Sequence, residues 1–313
     1  MPIVVAGNVF VDIKGFPESK YIPAGRNSGW VEFVHGGVGR NVVEDIANVE
    51  LRPRFVSMVD DTAQGEEVLR KLQRHKVDTR FVAQVPDGMG IWLAIHDAGG
   101  DIASSISKRP QMDAMVDMLR EHGNEIFADA DSVVVEIDMD KEVIKQVFRF
   151  AKKYGKRVYA VVANMSIATQ RRDFLQSVDC FVCNVQEAGI LFAAEFEDLT
   201  PEEMSRELSE RVTSARIPAM VVTMGSRGAV FASMSGEYGV CPAQTVHVRD
   251  TAGAGDAFFA GVAIGQTYGK SLMESCEIGS RLASAVITVS ENTCPRFLPE
   301  ELGLQLFSPL DGD

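Results

Sequence analysis

Apolar and polar positions alternate along most of the chain in the rhythm of strands and helices. Short runs rich in β-branched residues, such as residues 3–11, 54–59 and 131–138, are separated by longer stretches with apolar residues at every third or fourth position. Strands that alternate with helices in this way form a mostly parallel sheet with helices on both faces. The pattern therefore predicts an α/β fold of the doubly wound type.

Two segments break this rhythm. Residues 11–35 and 79–110 contain Gly, Pro and short alternating strands, with no helical pattern between the strands. We expect these two segments to pair into one small β-sheet, which lies as a lid over the strand ends of a main domain. The main domain is then expected to comprise residues 1–10, 36–78 and 111–313. A lid implies a substrate that must be shielded from water.

Composition narrows the class of partner. The 313 residues include 31 basic and 44 acidic side chains, and the net charge is -13. A surface with this charge repels nucleic acid and anionic membranes, which favours a small-molecule substrate. The sequence has neither a long apolar run nor a signal-peptide pattern, so we expect a cytoplasmic protein. Its cysteines, including the pair Cys180 and Cys183, are expected to be reduced thiols.

One stretch places an aspartate, Asp256, directly after three residues with small or no side chains. Residues 249–261 read RDTAGAGDAFFAG, and the apolar residues after Asp256 predict a buried helix that begins near Gly255. The free amide groups of residues 253–256 would then bind an anion such as phosphate. Asp256 would accept the proton of a substrate hydroxyl that attacks the bound phosphoryl group. The stretch alone equally allows Asp256 to be a helix cap, because Asp is favoured at helix N-termini.

The stretch DTAGAGDAFFAG resembles the signature of the ribokinase (PfkB) family of carbohydrate and nucleoside kinases, D-T-x-G-A-G-D. Five further motifs resemble the family's in the same order: GNVFVD at 7–12, GGVGRN at 36–41, VDDTAQGE at 59–66, NVQE at 184–187 and TMGSRGA at 223–229. The resemblance covers nearly the whole chain. It implies a ribokinase-like fold with an inserted β-sheet lid, and an ATP-dependent kinase activity.

The resemblance also implies roles for residues on the phosphate side. Asp256 resembles the catalytic base of the family. Three residues before it resemble the anion hole, together with the Asp256 amide: Gly253, Ala254 and Gly255. Asp250 and Ala252 resemble positions near a monovalent cation, such as K+, which assists the anion hole in many members.

Further residues resemble the family's nucleotide site. Asn184 and Glu187 resemble the pair that organises hydrated Mg2+ and the phosphates, with Glu187 reaching the ion through water. The same pair can also be the N-cap and the first-turn acid of a helix. Three residues are placed beside the nucleotide by the resemblance: Thr223, Gly225 and Gly228. Without it, an ordinary glycine turn between two strands would be preferred there.

Two motifs supply candidate residues for the acceptor. Asp12 ends GNVFVD at the edge of the first strand, and its carboxylate can hold two sugar hydroxyls. Gly36 and Gly37 let a sugar approach the backbone, while Asn41 offers a donor and an acceptor to another hydroxyl. GGVGRN also resembles a fragment of a dinucleotide-binding motif, but no G-x-G-x-x-G is completed.

Within the family, GGVGRN with Arg40 is most similar to pseudouridine kinases, as is SENTCP at residues 290–295. Two features depart from that group. Phe10 stands where an Asn is usual, and the lid carries MGIW at residues 89–92 where small hydroxyl residues are usual. The Phe and Trp side chains can stack on a base or simply pack the lid.

The sequence thus predicts a kinase that phosphorylates a primary hydroxyl of a ribosyl compound, foremost pseudouridine. A ribokinase- or fructokinase-like sugar kinase is one alternative, and a non-catalytic sugar- or nucleoside-binding relative is another. We also expect a homodimer through the lid, since family members often dimerise there and the lid is apolar.

Overall fold

Two β-sheets of unequal size, with helices around the larger one, make up the computed structural model, which describes residues 2–305. The strands are β1 (Ile3–Ala6), β2 (Phe10–Pro17), β3 (Gly29–Gly36), β4 (Arg54–Asp60), β5 (Asp78–Val85), β6 (Gly90–His96), β7 (Ile102–Lys108), β8 (Ser132–Glu136), β9 (Arg157–Val161), β10 (Cys180–Asn184), β11 (Ala219–Thr223), β12 (Ala229–Ser233) and β13 (Tyr238–Cys241). The helices are α1 (Val38–Asn48), α2 (Ala63–Arg74), α3 (Asp113–Phe127), α4 (Lys141–Lys153), α5 (Met165–Ala168), α6 (Arg172–Leu175), α7 (Val185–Phe192), α8 (Pro201–Ala215), α9 (Ala254–Thr267) and α10 (Leu272–Val286). The range expected for the main domain ends at residue 313, and its residues 306–313 lie outside the described part.

The larger sheet has the strand order β13-β12-β11-β10-β9-β8-β1-β4-β5. The strands from β11 to β5 in this order are parallel, whereas β12 and β13 are antiparallel additions at one edge. Side chains alternate between two cores: Val4 belongs to the core that includes residues of α3, α4 and α8, and Val5 belongs to the core that includes residues of α1, α2, α9 and α10. The predicted doubly wound, mostly parallel fold is confirmed, and the carboxyl ends of its parallel strands form the edge where ligands bind in such folds.

The smaller sheet has the order β3-β2-β6-β7 and draws on both segments that were expected to form a lid. One boundary of that expectation is wrong, because residues 79–85 belong to β5, which pairs in parallel with β4 at the edge of the larger sheet. The cause is burial: Phe81 packs into the core beside β4. Phe81 and Val82 pack against the two different cores, but exposed polar residues such as Arg80 and Gln84 give β5 the alternation of a lid strand, so the sequence pattern could not separate the two.

The first predicted strand, residues 3–11, is also divided. The chain leaves the larger sheet after Ala6, at Gly7, whose Cα faces Gly39 so closely that a Cβ on Gly7 would lie 2.5 Å from the Gly39 Cα atom. Asp12, which was expected at the edge of the first strand, therefore lies within β2 of the smaller sheet. Among residues 2–305, no helix combines the length and apolarity needed to span a membrane.

Candidate active site

The N-terminus of α9 opens at the carboxyl edge of the larger sheet. Helix α9 begins at Ala254, one residue from the predicted start, and its cap residue Gly253 has a φ of 80° that favours glycine. A Cβ on Gly253 would overlap the backbone oxygen of Asn292, whereas nothing lies within 4 Å of a Cβ on Gly255. Space is therefore open beside Gly255 in the first turn of α9, as anion binding requires, while the Ala254 amide donates to the Thr251 carbonyl at 3.3 Å.

Asp256 lies in the first turn of α9 and is held by α1. The Asn41 Nδ2 group donates a hydrogen bond of 2.6 Å to Oδ2 of Asp256. Burial raises the pKa of Asp256 to about 6 and the charge of Asp12 adds to the rise, while the Asn41 hydrogen bond and the charge of Arg40 oppose it. The carboxylate is thus ionised at neutral pH yet basic enough to take up a proton.

The candidate acceptor residues lie next to this pair. A Cβ on Gly36 would overlap the Asp12 carboxylate, so only glycine leaves room for Asp12 there. Gly37, with a φ of 95°, precedes α1, and its carbonyl accepts a hydrogen bond of 2.9 Å from the backbone N–H group of Asn41. Burial raises the pKa of Asp12. The structure therefore brings both halves of the predicted acceptor site to the N-terminus of α1.

Asn184 and Glu187 form a reciprocal pair at the start of α7. The Asn184 Oδ1 atom accepts from the Glu187 amide, and the Glu187 Oε2 atom accepts from the Asn184 amide, both at 2.8 Å. Burial raises the pKa of Glu187, with the charges of Asp138 and Asp256 in the same direction. Asn184 and Glu187 thus form the helix cap that the sequence offered as an alternative role. The Oε1 atom of Glu187 takes part in neither of these two hydrogen bonds.

The donor set fits a hydrated Mg2+ and does not form a cage. Within residues 2–305 no group of three or more His, Cys, Asp and Glu side chains is arranged to hold a metal. Mg2+ typically keeps several waters and takes one or two carboxylates besides phosphate oxygens. Glu187 could supply such a carboxylate through water, and Asn184 could position it.

The remaining nucleotide-side residues lie on neighbouring elements. Thr223 ends β11 and is the register partner of Asn184 on β10. Gly225 and Gly228, with φ values of 60° and 90°, flank the turn that joins β11 to its antiparallel neighbour β12. This turn is therefore the glycine turn between two strands that the sequence predicts without the family resemblance. Its role beside a nucleotide stays a prediction.

Asp250 and Ala252 form a local turn before the helix. The Asp250 Oδ1 atom accepts from the Ala252 amide at 2.9 Å, and the Asp250 side chain is exposed. Their role at a monovalent cation stays a prediction. Cys180 and Cys183 face the two different cores as free thiols, and burial raises the pKa of both.

Arg40 joins the two halves of the site in a way that its sequence context did not indicate. Its side chain is 1% exposed, and Nη1 donates to Glu44 at 2.7 Å while Nη2 donates to Asn292 Oδ1 at 3.2 Å. Nη2 also donates to the His35 carbonyl, to which the Asn292 amide donates at 3.0 Å. Arg40 thus ties the β3–α1 junction to the segment that packs on Gly253. The available signal was the four-residue spacing of Arg40 and Glu44 on one helix.

Glu136, at the end of β8, is a second buried acid near the site that the sequence pattern did not bring forward. The backbone amide and Nδ2 of Asn8 both donate to the Glu136 carboxylate at 2.9 Å. Burial raises the pKa of Glu136 to about 7, and Asp138 adds to the rise. Arg109 pairs with Asp138 at 2.6 Å. The signal was the pair of acids Glu136 and Asp138 at the carboxyl end of a buried strand, where ligands bind in parallel sheets.

A carboxylate base beside open helix amides, at the carboxyl edge of a parallel sheet, is an arrangement for phosphoryl transfer. The model of the pfkB family of carbohydrate kinases matches residues 2–296. This chain belongs to that family, and it is a phosphotransferase with an alcohol group as acceptor.

Three comparisons illustrate the relationship. The chain is 32% identical to guanosine-inosine kinase of Exiguobacterium acetylicum, over 93% of this chain and 95% of that protein. It is 23% identical to pseudouridine kinase of Escherichia coli (strain K12), over 94% and 92% of the two chains. The structure of Arabidopsis thaliana ribokinase complexed with ribose and ATP has the same fold, with a TM-score of 0.80 at 22% identity over 96% and 98% of the two chains.

Proposed function

We propose that this protein transfers the γ-phosphoryl group of Mg-ATP to the 5'-hydroxyl of a purine nucleoside, inosine or guanosine. The observation that carries the proposal is the Asn41 side chain. Its Nδ2 group is bound to Asp256, while its Oδ1 atom is buried and has no partner among residues 2–305. A buried acceptor without a partner costs stability unless a ligand supplies a hydrogen-bond donor. A ribosyl hydroxyl bound beside Asp256 would supply that donor to Asn41.

The chemistry follows from the arrangement of these groups. Asp256 accepts the proton of the attacking hydroxyl, and the amides of residues 253–256 neutralise charge that develops on the transferring phosphoryl group. When bound, Mg2+ would neutralise further phosphate charge, with Glu187 and Asn184 on its side of the site. The lid, whose strand β2 carries Asp12, excludes water from the reaction.

The relatives favour a purine nucleoside over pseudouridine as the acceptor. The similarity to guanosine-inosine kinase is 32% against 23% for pseudouridine kinase, over nearly equal lengths. Arg40 and SENTCP, which favoured pseudouridine, take part in the buried contacts around His35 and do not require a pyrimidine. Phe10 covers Gly90 so closely that a Cβ there would overlap its ring, which supports lid packing for Phe10.

The direct test is ADP release from Mg-ATP with separate acceptors: inosine, guanosine, pseudouridine, uridine, ribose and fructose. We expect turnover with inosine and guanosine to exceed that with the other four. Turnover confined to pseudouridine or to free sugars would overturn the purine assignment and retain the kinase. Mg-ATP binding without ADP release for any acceptor would favour the non-catalytic alternative.

The pH dependence should report Asp256. A base must be ionised, and the pKa of Asp256 is about 6, so kcat/KM should be level above that pH and fall about tenfold per unit below it. An ordinary aspartate would keep the rate level down to about pH 4. Glu136, with a pKa of about 7, titrates nearby, so the profile should be repeated with Glu136→Gln. If the fall in kcat/KM near pH 6 disappeared in that variant, the assignment of this pKa to Asp256 would be contradicted.

The lid face opposite Asp12 is suited to a second copy of the chain. Register pairs align four apolar side chains across the sheet: Phe33, Ile13, Leu93 and Ile106. Phe33 and Ile106 are 62% and 68% exposed. Sedimentation at micromolar concentration should give a dimer for the native protein and a monomer for Ile106→Glu. Ile190→Glu, which alters an isoleucine 53% exposed on α7, should remain dimeric. A monomeric native protein would contradict this proposal.

A further inference from the structure

A cavity of about 260 Å3 lies at the carboxyl ends of β1 and β8. Its polar lining includes Asn8, Arg109, Gln111, Asp138 and Arg171. None of these residues takes part in the phosphoryl-transfer chemistry described above. The cavity therefore offers room and polar groups for a part of the substrate away from the reacting hydroxyl.

Asn8 lines this cavity, and the orientation of its side-chain amide is fixed. Its side chain is 5% exposed, and its Nδ2 group donates to the Glu136 carboxylate at 2.9 Å. The Oδ1 atom is buried and has no hydrogen-bond partner among residues 2–305. Because Glu136 holds the Nδ2 side of the amide, the opposite side is available only as an acceptor. A ligand N–H group would satisfy it.

Arg109 presents donors on the same cavity. Its Nη2 and Nη1 groups donate to the side chain and backbone oxygen of Asp138, at 2.6 and 2.9 Å, which fixes the plane of the guanidinium. A guanidinium has five N–H groups, so others remain for a ligand, and the side chain is 36% exposed. The cavity thus combines one fixed acceptor with a cationic donor.

Asn8 links the lining of the cavity to the acceptor site through its backbone. The Asn8 carbonyl accepts from the Arg40 amide at 3.2 Å, in the first turn of the helix that carries Asn41. Asp12 follows Asn8 by four residues on the next strand. A nucleoside whose ribose lies between Asp12 and Asn41 would therefore extend its base toward this cavity.

We propose that this cavity binds the base of the nucleoside and that Asn8 and Arg109 select a 6-oxopurine. The N1–H group would donate to Asn8 Oδ1, and the O6 carbonyl would accept from Arg109, as arginine commonly does with guanine O6. Adenine offers an acceptor at N1 and a donor at its 6-amino group, so both contacts are reversed and the buried groups stay unpaired. This inference rests on the proposed nucleoside kinase function.

Substrate analogues test the inference in the native enzyme. We expect kcat/KM to fall about 10- to 100-fold from inosine to 1-methylinosine, which lacks the N1–H donor, and at least as far to purine riboside, which lacks both O6 and the N1–H donor. Equal use of inosine and both analogues would overturn the inference while leaving the kinase proposal intact. Failure of every nucleoside to be phosphorylated would instead overturn the proposed function itself.

Variants assign each contact to its residue. Arg109→Gln should lower kcat/KM for inosine about 10- to 100-fold while leaving purine riboside nearly unchanged, and Asn8→Ala should remove the discrimination against 1-methylinosine. The control Arg120→Gln alters an exposed arginine of α3 that pairs with Asp117 at the surface, and it should change neither ratio. Thermal unfolding identifies any variant that fails to fold, in which case the native-enzyme analogue ratios decide. Unchanged ratios in folded Asn8→Ala and Arg109→Gln proteins would overturn the assignment.

Discussion

Asp256→Asn is expected to lower kcat by about a hundred- to ten-thousand-fold while the protein folds normally. The amide keeps the shape of the carboxylate and can still accept the 2.6 Å hydrogen bond from Asn41. What it loses is the ability to take up the proton of the attacking hydroxyl. The affinity for Mg-ATP should change little, because the helix amides that face the phosphates are retained.

The stability of this variant gives a second readout. The pKa of Asp256 is raised from 3.8 to about 6, so between these values the folded state binds more protons than the unfolded state. The stability contributed by the protonated form is therefore lost as pH rises through 6. At pH 7 the neutral asparagine should be at least as stable as the native carboxylate in thermal unfolding.

The matched control is Asp117→Asn, which removes an exposed carboxylate of α3 that pairs with Arg120 at the surface. The loss of one surface ion pair should change the stability little, and the variant should keep full activity. An active Asp256→Asn protein, or an equal loss of activity in the control, would contradict the role of Asp256 as the base.

Gly253→Ala should lower kcat by about a hundred- to a thousandfold through displacement of the anion hole. Gly253 has a φ of 80°, and an added Cβ would overlap the Asn292 backbone oxygen. The loop must then shift, and the amides of residues 253–256 shift with it. Those amides stabilise charge only when they are placed within a few tenths of an ångström of the developing anion.

Gly269 provides a control that separates the backbone strain of a positive φ from the displacement of the anion hole. Gly269, after α9, has a φ of 78°, and no atom lies within 4 Å of a Cβ placed on it. Gly269→Ala therefore carries the same backbone cost, about 1–2 kcal/mol, without the collision. Steady-state kinetics and thermal unfolding should show both variants destabilised and only Gly253→Ala inactive. Equal activities in the two variants would contradict the account of the anion hole.

The local elements of this fold could be predicted from the chain because each has a local cause. The helix after Gly253 follows from a continuous apolar run, and the Asn184–Glu187 cap follows from the chemistry of helix N-termini. The place of β5 did not follow, because its exposed polar residues Arg80 and Gln84 give an alternation that also suits a lid strand. Membership of a sheet is decided by partners that are distant in sequence, such as β4.

The same distinction holds within the site. Asp256 could be proposed from its own neighbours, whereas the contact of Arg40 with Asn292 joins residues 252 positions apart in sequence. The orientation of the Asn8 amide depends on Glu136, which lies 128 positions away. Both are buried polar groups whose partners are fixed only when the strands and helices pack together, so no local pattern indicates them.

The most direct test of this account is phosphorus NMR of the product formed from Mg-ATP and inosine by the native enzyme, beside Asp256→Asn. We predict stoichiometric ADP and inosine 5'-monophosphate from the native enzyme and almost none from the variant. A product phosphorylated elsewhere on the nucleoside, no product from the native enzyme, or equal product from the variant would contradict it.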